Sequence, residues 1–481
     1  MRARFLLLAA ALAAFGASLG SGFHFDDYAI FSDPVLTSPW GWLKVWGWRQ
    51  TRPLTYLTFW LNYQTGGQDA LGYHVLNLML HLGAVLLAFE CLRRLGPGGT
   101  PERTALVAAA LFAVHPLQAE AVNYVWGRSI VLAALLCLAA LLCWITGRPW
   151  AAVAWFAAAL LAKEECAAFP LVLAMMPERP RGRSYIAVML GLAVAAGGRV
   201  IYAAAVTPGA AAGLHAGISP WRYLLAQGPV IVRYLRLLIV PYGFTVDADI
   251  HVPAVWVGLL AWAGIAALAV FLWRYRKHPA AMGVLAGLIL LMPSSSVFPA
   301  ADLSADRRMY LPMLGFAAAA GWLLTQARRA TLAAVVVVAL TGVSVGRTYV
   351  WMSDERLWRE AVRRAPDKVR PKIQLSRAVP AAEALELLAQ ARSLAPYDPA
   401  VAAETGKILL SEGQAAGALE EFGRALALDP RDARNFNNRG VALDALGQIE
   451  AARQDFERAL EIDPELTEAR QNLEKLPPPG R

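Results

Sequence analysis

Long apolar runs separated by short polar breaks fill the first 350 residues of the chain, and a different pattern fills the rest. The runs are 5–22, 75–92, 105–123, 129–146, 150–162, 164–177, 185–205, 254–273, 280–293, 309–326 and 330–348. A bilayer core accepts roughly 20 apolar residues as one helix, so these runs predict about eleven membrane-spanning helices. Several are short, which predicts tilted, broken or re-entrant pieces. His115-Pro116 interrupts the run 105–123, because proline removes a backbone donor and bends a helix. Between Arg148 and Arg179 the chain must cross and return, and Lys163-Glu164-Glu165 sits at that turn. Residues 220–243 are apolar but carry Arg222, Arg233 and Arg236. They predict an amphipathic segment at the outer surface rather than a span.

From Trp358 onward Ala, Leu, Glu and Arg recur with helical period, punctuated by Pro366, Pro396, Pro430 and Pro464. The first interval between these prolines is 30 residues and the next two are 34. Ala418, Phe422 and Ala425 precede Pro430 at the offsets at which Ala452, Phe456 and Ala459 precede Pro464. Gly406 and Gly440 fall where two helices of one unit pack closely, and Ala384, Leu388 and Ala391 repeat the second half before Pro396. This is the tetratricopeptide pattern, with about three units. Stacked units of this kind form a concave groove suited to a peptide or protein; the plainer reading is a packing partner for the membrane part. The expected division is a membrane domain over 1–350, a repeat domain over 351–475 and a loose tail over 476–481. The fold class is therefore all-α: a polytopic membrane bundle followed by an α-solenoid.

Composition agrees. The chain is 57% hydrophobic and 17% charged, with a mean hydropathy of +0.42, which excludes an ordinary soluble protein of this length. Cys91, Cys137, Cys143 and Cys166 all lie in apolar runs and form no metal spacing. The net charge of +9 is mostly Arg placed between apolar runs. It reads as topology signal and active-site cations, not as a nucleic-acid surface. The N-terminus, Met1-Arg2-Ala3-Arg4 followed by Phe5 to Leu19, is expected to be an uncleaved anchor rather than a removed signal peptide.

Positive charge marks the inner side of a membrane. Arg2, Arg4, Arg93, Arg94, Arg103, Arg148, Arg179, Arg181, Arg183, Arg274, Arg276, Lys277, Arg328 and Arg329 are accordingly read as inside. The alternation puts the N-terminus in and the repeat domain out. Left on the outer side are Asp26, Asp27, Arg52, His115, Gln118, Glu120, Arg128, Lys163, Glu164, Asp306, Arg307, Arg308 and Tyr310. Outer arginines run against the charge bias and call for a reason. Binding a lipid-linked phosphate supplies one, since guanidinium forks match phosphate oxygens. Glycosyl transfer to a hydroxyl needs a carboxylate to take the hydroxyl proton and cations to stabilise the departing phosphate. Asp26 or Asp27 would be the base, and Arg307 or Arg308 the phosphate clamp, with Arg128 and Arg52 as further phosphate contacts. His115, Glu120, Lys163, Glu164, Asp306 and Tyr310 would support the polar site. Each has a plainer reading: a solvated boundary for the aspartates, a helix break for His115, an internal ion pair at Lys163 and an aromatic belt for Tyr310. The run Trp40, Trp42, Trp46 and Trp48 reads as interfacial anchoring.

The motifs carry a resemblance. Phe25-Asp26-Asp27, Arg52-Pro53-Leu54-Thr55-Tyr56, Gly72-Tyr73-His74-Val75-Leu76-Asn77 with Leu80-His81, and His115-Pro116-Leu117-Gln118-Ala119-Glu120 occur in that order. Gly127-Arg128, Lys163-Glu164 and Asp306-Arg307-Arg308-Met309-Tyr310 follow. Together with the repeats they resemble the transmembrane-and-tetratricopeptide (TMTC-type) protein O-mannosyltransferases and their bacterial relatives. That resemblance implies a GT-C type bundle, a catalytic Asp26-Asp27 motif in the first outer loop and a polyprenyl-phosphate sugar donor, with mannose the usual sugar. The Ala, Arg and Gly-rich composition looks bacterial, which implies an inner-membrane location. Two features depart from the pattern: Asp306 stands where Glu is common, and the repeats are few. No metal ligand set is expected and no cofactor is certain, although the acidic pair could hold a divalent cation. The expected function is inverting transfer of a sugar to Ser or Thr hydroxyls of a protein held by the repeats, on the extracytoplasmic side. The expected partners are the lipid-linked donor, the acceptor protein and membrane lipid, without nucleic acid. The rivals are a non-catalytic scaffold that recruits envelope proteins, and the same transferase acting on a lipid or glycan.

Overall fold

A computed structural model of the chain describes residues 1–481 except 48–49, 96–99, 177–181, 207–216, 301, 327–329 and 479–481. Arg179, Arg181, Arg328 and Arg329 of the charge pattern, Trp48 and the last three residues of the proline-rich tail lie outside the described residues. Every described element is helical, and the chain divides into two compact units, Met1–Ser353 and Asp354–Arg481.

In the first unit, six helices among the described residues are long and apolar enough to cross a bilayer: Arg2–Gly20, Ala70–Arg94, Arg128–Ile145, Gly182–Val206, Val255–Arg274 and Thr331–Val350. A seventh candidate is the pair Glu102–Val114 and Pro116–Asn123, bent by 48° at His115. Pro149–Ala162, Pro279–Leu291 and Met313–Gln326 are shorter apolar helices. This is a membrane protein, and its helices fall on the apolar runs. One run behaves differently: 164–177 forms only a 3₁₀ turn, Glu164–Ala168, and a six-residue helix, Phe169–Ala174. The charges at its start are paired within the bundle, and Pro170 at the start of the second piece restarts the helix. Residues 220–243 form the amphipathic helix Pro220–Ile239, which is absent from the span candidates.

Contacts sort the two ends of this bundle. At one end Glu90 receives Arg93 at 2.9 Å, Arg94 at 2.5 Å and Arg4 at 3.4 Å. Thr104 meets Thr325 at 2.9 Å, Trp150 packs edge-on against Tyr185, and His278 packs against Trp322. The opposite end carries residues 21–47 and 50–69, the segment 115–128, the turn at 163–168 and residues 294–300 and 302–310. Between the ends, helices Pro279–Leu291 and Met313–Gln326 pack backbone to backbone, since a Cβ on Gly315 would meet the Gly283 carbonyl oxygen at 2.4 Å. Above the bundle, short helices between residues 25 and 66 close over Ile30, Leu36, Phe59, Tyr73 and Val125. Thr55 ties that cap to the bundle by donating to the Ala162 carbonyl at 2.9 Å.

The second unit stacks helices in pairs: Val369–Ser376 with Ala381–Leu394, Pro399–Ser411 with Ala415–Leu428, and Ala433–Ala445 with Ile449–Ile462. Asp354–Arg364 precedes them and Thr467–Lys475 follows. Gly406 and Gly440 sit where predicted: a Cβ on either would lie under 3 Å from the ring of Phe422 or Phe456. The 30-residue interval has a local cause. Val369–Ser376 has 8 residues where its counterparts have 13. Ion pairs stitch one helix to another: Arg377 to Glu404 at 2.8 Å, Arg392 to Glu421 at 2.6 Å and Arg439 to Asp455 at 2.7 Å.

Candidate active site

The two adjacent aspartates lie on a 3₁₀ turn, Phe25–Tyr28, just past the first apolar helix. That turn points them in different directions. Asp27 is fully buried; its carboxylate accepts the His24 backbone N–H at 3.0 Å and the Trp126 backbone N–H at 2.8 Å. Burial pushes its carboxyl up from 3.8 to about 7, against those two bonds and the nearby His24. The His24 ring donates to the Trp351 carbonyl at 2.6 Å. Phe25, between them, adopts φ 21°, a strained backbone for a residue with a side chain. Asp26 is exposed, and its carboxylate accepts the Tyr124 hydroxyl at 3.0 Å.

Tyr124 extends the site toward the second charged motif. Its ring stacks on Trp351 at 5.7 Å and lies 4.7 Å from the Phe25 ring. The Arg307 guanidinium sits over the same ring at 5.9 Å. Arg307 forms a short ion pair with Glu120, and its backbone N–H donates to the second Glu120 oxygen at 3.1 Å. Asp302 approaches the far side of the guanidinium at 3.7 Å. The bend at His115-Pro116 brings Glu120 to this position. The His115 ring accepts the Leu117 N–H at 3.2 Å and donates to the Leu238 carbonyl at 3.4 Å. Its part is to hold the break.

The other sequence candidates occupy distinct settings at the same end. Arg52 forms a two-pronged bridge to Glu164, at 3.1 and 2.7 Å. Lys163 pairs with Glu165 at 3.3 Å rather than with Glu164. Asp306 is held by Arg233 at 2.5 Å, which pins helix Pro220–Ile239 along residues 303–306. Arg308 donates to the carbonyls of Leu303 at 3.1 Å and Asp302 at 2.8 Å. Tyr310 is buried and donates to His81 at 2.7 Å, while the other His81 nitrogen donates to Ala113 at 3.0 Å. Arg128 is buried and its donors reach Asn77 at 2.7 Å, Tyr73 at 3.0 Å and Thr58 at 3.4 Å, beneath the Phe59 ring. Arg128 and Arg52 thus spend their donors on Asn77, Tyr73 and Thr58 and on Glu164, apart from the Tyr124 ring on which Asp26 and Arg307 meet. Among the described residues, no three His, Cys, Asp or Glu side chains gather as a metal site.

Tyr124, His24 and Arg233 were not singled out by sequence reasoning. Tyr124 follows Glu120 by four residues beyond the proline break, and His24 adjoins the aspartates; those positions were the available signals. Arg233 shows in the sequence only as one of three arginines that interrupt the apolar stretch 220–243.

Comparison with known proteins adds a direct likeness. A 157-residue stretch is 32% identical to a protein O-mannosyl-transferase of Caenorhabditis elegans, covering 30% of this chain and 23% of that protein. The chain is similar to the protein O-mannosyl-transferases. The human protein O-mannosyl-transferase TMTC4 is 35% identical over 158 residues, 28% of this chain and 21% of its own length. A protein O-mannosyl-transferase of Drosophila melanogaster reaches 49% identity over 78 residues, 16% of this chain and 9% of its own length. The matched stretches thus span under a quarter of the length of these O-mannosyl-transferases. Residues 433–466 match the tetratricopeptide repeat family. Among solved structures, the first TPR of Spaghetti (RPAP3), bound to an HSP90 peptide, is 28% identical with a TM-score of 0.20, covering 20% of this chain and 75% of that one.

Proposed function

We propose that this chain is a membrane glycosyltransferase that moves a sugar, mannose by the likeness to the O-mannosyl-transferases, from a polyprenyl phosphate to Ser or Thr hydroxyls of a protein. One observation carries the reading. An exposed carboxylate, Asp26, and a buried-edge cation, Arg307, meet on a single tyrosine, Tyr124. The acceptor hydroxyl gives its proton to Asp26 as its oxygen attacks the anomeric carbon. The bond from that carbon to the phosphate oxygen breaks on the opposite face, and the electron pair leaves with the phosphate. The anomeric centre inverts, as in any single displacement at this carbon. Arg307, aligned by Glu120, lies where negative charge grows.

Asp27 has the other duty. Tied by two backbone N–H groups, it fixes the turn that presents Asp26. Arg128 braces Asn77, Tyr73 and Thr58 beneath the cap. The likeness to TMTC proteins and the charge alternation support a site on the extracytoplasmic side, with the repeats outside and binding the acceptor. A bacterial inner membrane fits the composition. No metal step is needed by this scheme.

The test uses purified full-length protein with a panel of labelled polyprenyl-phosphate sugars and a Ser/Thr-rich acceptor protein. Asp26→Asn is expected to lower transfer by at least about 100-fold, the ordinary scale of a general base, while the protein stays folded. Transfer by Asp26→Asn at the wild-type rate would remove the mechanism. Absence of label in protein with every donor would remove the activity.

A further inference from the structure

Helix Pro220–Ile239 carries three arginines and no Asp or Glu. Arg222 and Arg236 are exposed, as cations on an amphipathic helix ordinarily are. Arg233 is turned inward instead: its side chain is 11% exposed, and that of its partner Asp306 is 7% exposed. A guanidinium buried this far is costly unless its donors are matched. They are matched from a single direction. Arg233 donates to one Asp306 oxygen at 2.5 Å, to the other at 3.5 Å and to the Ser304 hydroxyl at 3.2 Å. Sugar transfer as proposed engages Arg307 and leaves Arg233 without a duty.

The same helix grips the chain just ahead of Arg307. Gln227 donates to the Leu303 carbonyl at 3.0 Å. The Tyr234 hydroxyl donates to the Ala305 carbonyl at 2.9 Å and accepts the Ala305 N–H at 2.9 Å. Leu303, Ser304, Ala305 and Asp306 are therefore each held by this helix. Behind it stands the span candidate Val255–Arg274. Trp262 on that span donates to the Leu224 carbonyl at 2.7 Å, and a Cβ on Gly228 would meet that of Ala261 at 3.0 Å. The grip thus has a firm backing. Toward the site the charges alternate: Arg233, Asp306, Arg307 and Glu120 follow one another as cation, anion, cation and anion. Asp306 and Glu120 lie within electrostatic reach of each other. Arg307 is already approached by Glu120 and, at 3.7 Å, by Asp302. A further carboxylate released beside it would draw the guanidinium away from the Tyr124 ring, because a poorly solvated carboxylate takes the nearest donor.

We infer that Arg233 is a positioning residue for the transfer reaction: it occupies the Asp306 carboxylate and so leaves the Arg307 guanidinium over Tyr124. This rests on the transferase reading, in which Arg307 faces the growing negative charge. Arg233 acts through Asp306 and the turn that follows, not by contact with substrate. Its role has a kinetic signature. Arg307 works where charge develops, so loss of its aim lowers kcat more than it raises either KM. The orphaned carboxylate, rather than the missing guanidinium, causes the loss. Removing that carboxylate as well returns part of the rate.

The experiment compares purified full-length wild type, Arg233→Met, Arg233→Lys and the double variant Arg233→Met/Asp306→Asn. Two readouts are taken: transfer from labelled polyprenyl-phosphate sugars to a Ser/Thr-rich acceptor protein, and hydrogen exchange over residues 303–310, which needs no turnover. Arg233→Met is expected to lower kcat at least about tenfold, the scale of a displaced reacting group, while each KM changes less than about threefold. Exchange should quicken over 303–310, including the Arg307 amide that bonds to Glu120 at 3.1 Å. Arg233→Lys keeps the charge and should retain most of the rate and the protection. The double variant should be at least about threefold faster than Arg233→Met, with protection partly restored, as expected of directly coupled residues. Should Arg233→Met not fold, Arg233→Gln takes its place in the same comparison. Wild-type kcat and exchange in Arg233→Met would overturn the inference. So would a double variant no faster and no better protected than Arg233→Met, since a merely structural loss is not mended by a second deletion. Absence of transfer by wild type with every donor would sink the transferase reading, and the order of exchange rates alone would then decide whether Arg233 sets the turn.

Discussion

Asp26 and Asp27 are neighbours in sequence and opposites in setting, one exposed under a tyrosine hydroxyl and the other sealed between two backbone donors. Burial moves the Asp27 carboxyl from 3.8 to about 7, so the folded chain holds this proton more tightly than the unfolded chain. Its contribution to stability is full below the unfolded value and fades as pH rises through about 7. The thermal stability of wild type relative to Asp27→Asn should therefore fall between about pH 4 and pH 8, read by intrinsic fluorescence on heating. A flat difference would show that this group does not titrate there. Arg128 gives a second residue-scale outcome. Arg128→Met leaves the Asn77 oxygen and the Tyr73 carbonyl without their donor, at a cost of about 1–3 kcal/mol each. The variant should melt earlier, while in the proposed transfer reaction the protein that stays folded keeps its donor KM; a raised KM with unchanged melting would make Arg128 a donor contact instead. The acidic pair, Glu120 and Arg307 stood out in the sequence as charges beside apolar runs, where charge is costly. Their division of roles was not legible, because it depends on Trp126 and Tyr124, about a hundred residues away along the chain.

Among the elements, the proline break and the repeats were readable from local pattern alone. Pro116 forecast a bend, and the bend is there, at 48°. Its purpose was hidden, since the Glu120–Arg307 pair that it permits joins segments far apart in sequence. Pro116→Ala should restore a backbone donor and straighten the segment, lowering transfer more than it lowers the amount of folded protein; unchanged transfer would detach the bend from the site. In the repeats, Gly440→Ala would set a methyl 2.6 Å from the Phe456 ring, an overpacking cost of about 1–3 kcal/mol. Hydrogen exchange should quicken in helices Ala433–Ala445 and Ile449–Ile462, and Phe456→Leu should restore part of the loss in the double variant. The shortened unit was visible as a 30-residue spacing, but which helix had shrunk was not, because the prolines mark unit ends only. The run beginning at residue 164 is one of the short runs expected to be broken, and it is broken, into the turn Glu164–Ala168 and the helix Phe169–Ala174.

At the scale of the molecule, the arginine alternation proposed two ends, and the contacts at Glu90 and at Asp26 lie at opposite ends of the first unit. Orientation in the membrane is the testable part. In a background without the four native cysteines, Tyr28→Cys should react with a membrane-impermeant maleimide on intact cells. Arg94→Cys should react only after permeabilisation. The reverse pattern would invert the proposed topology and remove the proposal of an extracytoplasmic site. The span count shows where sequence reading reaches its limit. Eleven runs satisfy composition, yet only six or seven helices among the described residues satisfy length, because short helices at the core are buried by neighbours that a linear pattern cannot see.

The segment Asp306–Met309 is wound as a 3₁₀ turn, in which each residue advances by a third of a circle. Consecutive side chains therefore leave on different bearings, and three of them, Asp306, Arg307 and Arg308, go to three separate addresses. Adding or deleting one amino acid upstream of the turn would rotate all three assignments together. The spacing between Leu303 and Tyr310 therefore behaves as a ruler, and it should tolerate changes of identity more readily than changes of length.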